Sequence, residues 1–163
     1  MKTEIATLAG GCFWGVQDLL RKVPGVVSTR VGYTGGTVVN PTYEQVKTGT
    51  TGHAESLEIT FDPERVTYEQ ILELFFRLHD PTTLNQQGED RGSQYRSAVF
   101  FHDDDQRMIA IEVMAHLEKK RRFKGDIVTE LNDASVFYPA EEYHQDYLKK
   151  NPGGYTCHYF RKW

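Results

Sequence analysis

At 163 residues with 39% hydrophobic content, and with no Pro-, Ser- or Gly-rich stretch dividing its interior, the chain is long enough for one domain, 1–163, with its own core. The formal net charge is −4 with both signs spread along the sequence, which argues against a nucleic-acid or anionic-membrane surface. No apolar run approaches the roughly 20 residues that span a bilayer, and Glu4 interrupts the first apolar residues, against a signal peptide or a lipid-attachment site at Leu8-Ala9-Gly10-Gly11-Cys12. The expectation is a soluble cytoplasmic monomer, in which the two cysteines, Cys12 and Cys157, are not a structural staple.

Ile5 to Ala9 reads as a short buried strand running into a helix from Phe13 to Val23, with Phe13, Val16, Leu20 and Val23 as its apolar stripe and Pro24-Gly25 as its stop. Trp14 falls on the polar line of Asp18 and Arg21, which predicts an indole displayed near Cys12 rather than sunk in the core. Val26 to Val31 is a second strand, followed by a Gly-rich loop from Gly32 to Gly36 and a polar stretch from Asn40 to Gly52. Glu55 to Phe61 alternates as a third strand closed by Asp62-Pro63, and Ile71, Leu72, Phe75, Phe76 and Leu78 carry helical spacing over Tyr68 to Leu78. After a long loop come a strand from Arg96 to Phe101 and a helix from Asp104 to Arg122. That helix is acidic at its start and basic at its end, as a helix dipole favours, so Lys119-Lys120-Arg121-Arg122 reads as a solvated helix end. Ile127 to Leu131 is the last main strand and Ala140 to Lys149 a short helix. The tail, 151–163, is coil that carries Cys157 with little to fix its position. The order β-α-β-β-α-β-α-β predicts helices packed on a mixed sheet.

Cys12 sits in Gly10-Gly11-Cys12-Phe13-Trp14-Gly15, where strand gives way to helix. A thiol there faces unpaired backbone N–H groups and the positive end of the helix dipole, both of which favour the nucleophilic thiolate; the alternative is an inert small apolar side chain. Glu55 shares a strand face with Leu57, Ile59 and Phe61, so burial would let it hold a proton near neutral pH and donate it; if the strand begins only at Leu57, Glu55 is solvated at its mouth. Tyr95 heads the face Tyr95, Ser97, Val99, Phe101 and could orient a substrate oxygen or be an ordinary core tyrosine. Tyr43 is equally open, and Asp90 alone reads as a turn residue. Cys157 is either an incidental surface thiol or the mobile second thiol that a redox cycle needs. Zinc at Cys12, His53, Cys157 and His158 lacks any supporting ligand spacing. A Cys-His hydrolase using His144 fits the order but lacks the local signature, so His53 and His144 are first read as structural.

Taken together, Gly11-Cys12-Phe13-Trp14-Gly15, Thr51-Gly52-His53-Ala54-Glu55, Gln94-Tyr95-Arg96-Ser97 and Tyr143-His144-Gln145-Asp146-Tyr147 resemble the peptide methionine sulfoxide reductase A family. The resemblance implies an α+β fold, a two-layer α/β sandwich with a ferredoxin-like core and mixed sheet, and no metal or organic cofactor. It implies reduction of the S epimer of methionine sulfoxide, free or in oxidised proteins, with a thioredoxin-type dithiol as partner. It assigns Cys12 as nucleophile, Glu55 as acid, Tyr43, Asp90 and Tyr95 around the sulfoxide oxygen, and Phe13 and Trp14 around the substrate methyl. Where many family members carry two further C-terminal cysteines, this chain has one, which implies a single Cys12–Cys157 disulfide. A Cys-His hydrolase or acyl transferase and a non-enzymatic peptide-binding module are the competing readings; only a reductase consumes two thiols per sulfoxide.

Overall fold

A computed structural model describes residues 2–163. In chain order its elements are β1 (Glu4–Gly10), α1 (Phe13–Leu20), β2 (Val26–Thr34), α2 (Tyr43–Lys47), β3 (Ala54–Phe61), α3 (Tyr68–Leu78), a small hairpin of β4 (Gln86–Gln87) and β5 (Asp90–Arg91), β6 (Ser97–Phe101), α4 (Asp104–Lys119), β7 (Glu130–Asp133), β8 (Tyr138–Pro139) and α5 (Tyr147–Lys150). The main sheet runs β7-β6-β1-β3-β2-β8. Its four inner strands are antiparallel neighbours in the order of two interleaved βαβ units, the ferredoxin-like core that the resemblance implies. α4 then crosses back so that β7 adds parallel to β6, which makes the sheet mixed.

Strand alternation decides which side chains meet the helices. Leu8 pairs with Leu57 and Ala6 with Ile59, and these residues, with Val31, Val99 and Phe61, form one buried face. Phe13, Val16 and Leu20 of α1 and Ile71, Leu72, Phe75 and Phe76 of α3 pack into the same cluster. Ala9, Ala54, Ala98 and Phe100 form a smaller buried cluster of their own. Each of the two longer helices after β3 starts on a side chain that satisfies an orphan N–H: Thr67 and Gln70 form a capping box on α3, and Asp103 accepts from Gln106 N–H on α4.

Several boundaries differ from those expected. β2 continues through Gly32 to Thr34, where a loop was expected, because both edges are taken up by pairing with β3 and β8. α1 stops at Leu20, short of Val23, and α4 at Lys119, short of Arg122, because Arg121 turns left-handed. The last main strand is Glu130–Asp133, three residues later than the expected start at Ile127, in register with β6. The helix expected over Ala140–Lys149 is broken at Asp146, whose φ of 53° separates a 3₁₀ turn, Glu142–His144, from the single turn of α5. The polar stretch before β3 contains α2, capped by Thr42 and Gln45, and the long loop before β6 contains the β4–β5 hairpin.

Candidate active site

Cys12 is the N-cap of α1 and is 8% exposed. Gly11, at φ 99°, supplies the left-handed residue that turns β1 into the helix within two residues. The N–H of Trp14 reaches the sulfur, as expected at a helix start, but burial and the neighbouring Glu55 carboxylate outweigh it and hold the thiol well above its ordinary range. Cys12 therefore rests as a thiol and not as the thiolate expected from the helix dipole alone.

Glu55 lies inside β3, which begins at Ala54, so the solvated alternative does not hold: it is 2% exposed and on the same strand face as Leu57 and Ile59. Its Oε1 accepts from the N–H of Phe13 at 3.3 Å, which brings the carboxyl to the first turn of α1, next to Cys12. Burial raises its pKa from 4.5 to about 8, the Phe13 N–H opposes that shift and Asp90 adds to it. A buried carboxyl that carries a proton at neutral pH thus adjoins a buried thiol.

The other candidate residues converge on this pair from separate elements. Tyr43 opens α2 and is fixed by its backbone: its N–H donates to Glu141 Oε2 at 2.8 Å, while Glu141 Oε1 accepts from the Tyr33 hydroxyl at 2.8 Å. Burial and the charges of Glu55 and Cys12 push the Tyr43 phenol up to about 12, so it stays a donor. Tyr95 does not head a strand as expected; it ends a 3₁₀ turn, Ser93–Tyr95, just before β6. Arg96 pins that turn by donating to Ser93 O and Gly52 O, each at 2.9 Å, and to Glu130 at 3.1 Å. Burial and the charges of Glu55, Tyr43, Asp90 and Cys12 all raise the Tyr95 phenol, the signature of groups facing one space. Asp90 belongs to the β4–β5 hairpin and accepts from the Tyr155 hydroxyl at 3.1 Å.

Phe13 is 1% exposed, with its ring 5.7 Å from that of Tyr33 and 5.1 Å from that of His144. Trp14 is not openly displayed: Tyr147 stacks on the indole at 3.7 Å and 7°, and its Nε1–H donates to His144 Nδ1 at 2.9 Å. His144 is wholly buried, and among the described residues its ring accepts from Trp14 at Nδ1 and has no partner at Nε2, so it makes no link to Cys12 of the kind a Cys-His hydrolase requires. His53 accepts from Gly36 N–H and bonds Val38 O, holding the loop after β2, as the structural reading expects.

Both cysteines are free, and Cys157 lies close enough for its charge to act on Cys12. The tail is coil after Lys150, yet it is fixed in place, contrary to expectation. His158 Nε2 bonds the Gly10 carbonyl at 2.8 Å, and the Arg161 N–H donates to Arg77 O at 2.9 Å. Sequence reasoning had singled out neither Glu141, Tyr155 nor this anchoring role of His158, and had named Tyr147 only within a motif and not for its stack on Trp14, since each contact joins segments far apart in the chain.

The chain matches the family model described as peptide methionine sulfoxide reductase over residues 4–162. It is 60% identical over 149 residues to a peptide methionine sulfoxide reductase MsrA from Methanothermobacter thermautotrophicus, covering 91% of this chain and 88% of the relative. Among solved structures it is similar to Mxr1 from Saccharomyces cerevisiae in reduced form, with a TM-score of 0.93 and 39% identity over 99% of this chain and 93% of that one. Mxr1 has also been solved in complex with Trx2, where the TM-score is 0.67 at 26% identity, covering 99% of this chain and 91% of that one. With a buried thiol beside a protonated carboxyl on a matching fold, the chain belongs to the peptide methionine sulfoxide reductase A family and is an oxidoreductase that reduces methionine sulfoxide at the expense of thiols.

Proposed function

We propose that Cys12 is the nucleophile that attacks the sulfur of a methionine S-sulfoxide, free or in an oxidised protein, and that Glu55 is the acid that makes the attack possible. The observation that carries this reading is the buried Glu55 carboxyl, protonated up to about pH 8 and tied to the start of α1 beside Cys12. A sulfoxide oxygen is a poor leaving group until it is protonated. Glu55 donates to that oxygen, with the hydroxyls of Tyr43 and Tyr95 as further donors. The substrate sulfur then carries positive charge, which favours thiolate at Cys12 within an otherwise apolar site. The Cys12 proton returns to Glu55, oxygen passes from substrate to Cys12, and two electrons pass the other way. Thioether leaves and Cys12 is left as sulfenic acid. Phe13 and Trp14 offer the aromatic seat for the methyl, and the Tyr147 stack and the His144 bond hold the indole in one orientation.

Cys157 then condenses with the sulfenic acid to a single disulfide and water, and an external dithiol restores both thiols. A thioredoxin-type reductant is supported by the Mxr1–Trx2 complex, and a cytoplasmic site of action is part of the same proposal. In a single turnover without reductant, the protein should yield about one methionine per chain and lose two thiols; Cys157→Ser should yield one methionine and a trapped sulfenic acid, and Cys12→Ser none. Methionine formation by Cys12→Ser would overturn the assignment.

A further inference from the structure

The ring nitrogens of His158 do different things. Nε2 lies 2.8 Å from the carbonyl oxygen of Gly10, which can only accept, so Nε2 carries the proton. In the neutral ring Nδ1 is then an unprotonated acceptor, and it lies 3.9 Å from Cys157 Sγ, within reach of a thiol donor. His158 is 7% exposed and anchored at two points: the ring bonds the Gly10 carbonyl, and the backbone N–H donates to Thr156 Oγ1 at 3.1 Å. Gly15 leaves the space that Nδ1 occupies, since a Cβ there would collide with Nδ1 and with Thr156 Oγ1.

We propose that His158 is the base that takes the proton of Cys157 as that thiol attacks oxidised Cys12. The proposal rests on the roles assigned above to Cys12 and Cys157. The Cys157 S–H proton moves to Nδ1 and the sulfur–sulfur bond forms as the S–O bond of Cys12 sulfenic acid breaks. The departing hydroxide takes the proton of Glu55 to become water, and imidazolium returns a proton to Glu55 through solvent. Cys157 sulfur is oxidised and Cys12 sulfur reduced from the sulfenic level.

The site needs a base because burial, with Asp90 adding to it, raises the Cys157 thiol above its ordinary 9.0 against the opposing Tyr155 hydroxyl and Arg161, so little thiolate exists at neutral pH. Burial likewise lowers His158 below its ordinary 6.5 and keeps Nδ1 free. The groups facing the ring are Asp90 from the hairpin, which favours imidazolium; Arg161 of the tail, which opposes it; His79 at the end of α3; and Cys157 itself. Gly10 and Gly15, on β1 and α1, bring no charge.

The test is single-turnover kinetics with methionine sulfoxide, following methionine release for the first step and alkylation-quenched loss of the Cys157 thiol for the second. His158→Gln can still donate an amide N–H to Gly10 but offers no base, so disulfide formation should slow by roughly 10²-fold or more relative to methionine release, and sulfenic acid should accumulate. Below the pH at which Glu55 loses its proton, from about 6.5 to 7.5, the second step in the wild type should be nearly independent of pH, whereas in His158→Gln it should rise about tenfold per pH unit with the Cys157 thiolate. Disulfide formation at the wild-type rate in His158→Gln would reduce His158 to an anchor and overturn the proposal. A tenfold rise per pH unit in the wild type would overturn it without recourse to any variant. Failure of the wild type to release methionine would be the separate failure of the Cys12 assignment, and would take this proposal with it.

Discussion

At the scale of single residues, the site turns on the protons that Cys12 and Glu55 hold side by side. A carboxylate beside the sulfur raises the thiol, so deprotonating both at once is the least favourable state. In the proposed mechanism the first chemical step needs the proton on Glu55, and its pKa of about 8 sets the upper limit: the single-turnover rate should fall about tenfold per pH unit above that value. Glu55→Gln should be slower by roughly 10²- to 10⁴-fold and should lack that descending limb. An unchanged rate, measured as methionine released in one turnover, would remove Glu55 from the chemistry. Stability should move the other way. Glu55 binds its proton more tightly folded, at about 8, than unfolded, at 4.5, so folding is favoured where the proton is bound and that advantage is lost as pH rises from 4.5 through about 8. Glu55→Gln removes that loss, and urea melts should show it more stable than the wild type by on the order of a few kcal/mol at about pH 8, with the difference shrinking towards about pH 4.

At the scale of elements, α1 serves two surfaces. Its first residues present Cys12 and accept the Glu55 carboxyl, while Gly15, one turn on, receives Thr156 and His158 of the tail. In an isolated helix Gly→Ala is stabilising by about 1 kcal/mol. Here Gly15→Ala should do the opposite, because the added methyl occupies the seat of the His158 ring: the tail should undock, and limited proteolysis should cut beyond Lys150 faster than in the wild type. The capping box of α2 illustrates a local signal that the surrounding polar sequence obscured. Thr42 and Gln45 carry the pattern, yet it is contacts from far along the chain, the Glu141 bond to Tyr43 N–H and the burial of Val46 in the core, that hold so short a helix in place. Tyr95 illustrates the converse: alternation carried the strand one pair too far, since Arg96 diverts the backbone into a 3₁₀ turn by bonding carbonyls of the turn and of Gly52.

At the scale of the whole molecule, β3 is central: it pairs with β1 along one edge and β2 along the other, and its inward face carries both core residues and Glu55. Leu57, wholly buried opposite Leu8 and two residues from Glu55, couples the two. Leu57→Ala should cost about 2–5 kcal/mol in chemical denaturation, through lost burial and the cavity left behind.

Much of this was legible in the sequence. The interleaved strand and helix periods carry helices packed on a mixed sheet, the Gly-Gly-Cys junction marks a thiol at a helix start, and alternation offers Glu55 the apolar face if the strand begins before Leu57, as it does at Ala54. These are local signals, set by neighbours a few residues away along the chain. What the tertiary structure alone decided is the protonation of Cys12, the cover over Trp14 and the docking of the tail. Each depends on groups brought from a distance: Glu55 lies 42 residues beyond the N–H that it accepts, His144 lies 130 beyond Trp14, and His158 lies 148 beyond Gly10. Desolvation is the physical reason. The helix dipole acts within the first turn and can be read locally, whereas the loss of water around a thiol is the work of every segment that packs over it, and here it is the stronger effect.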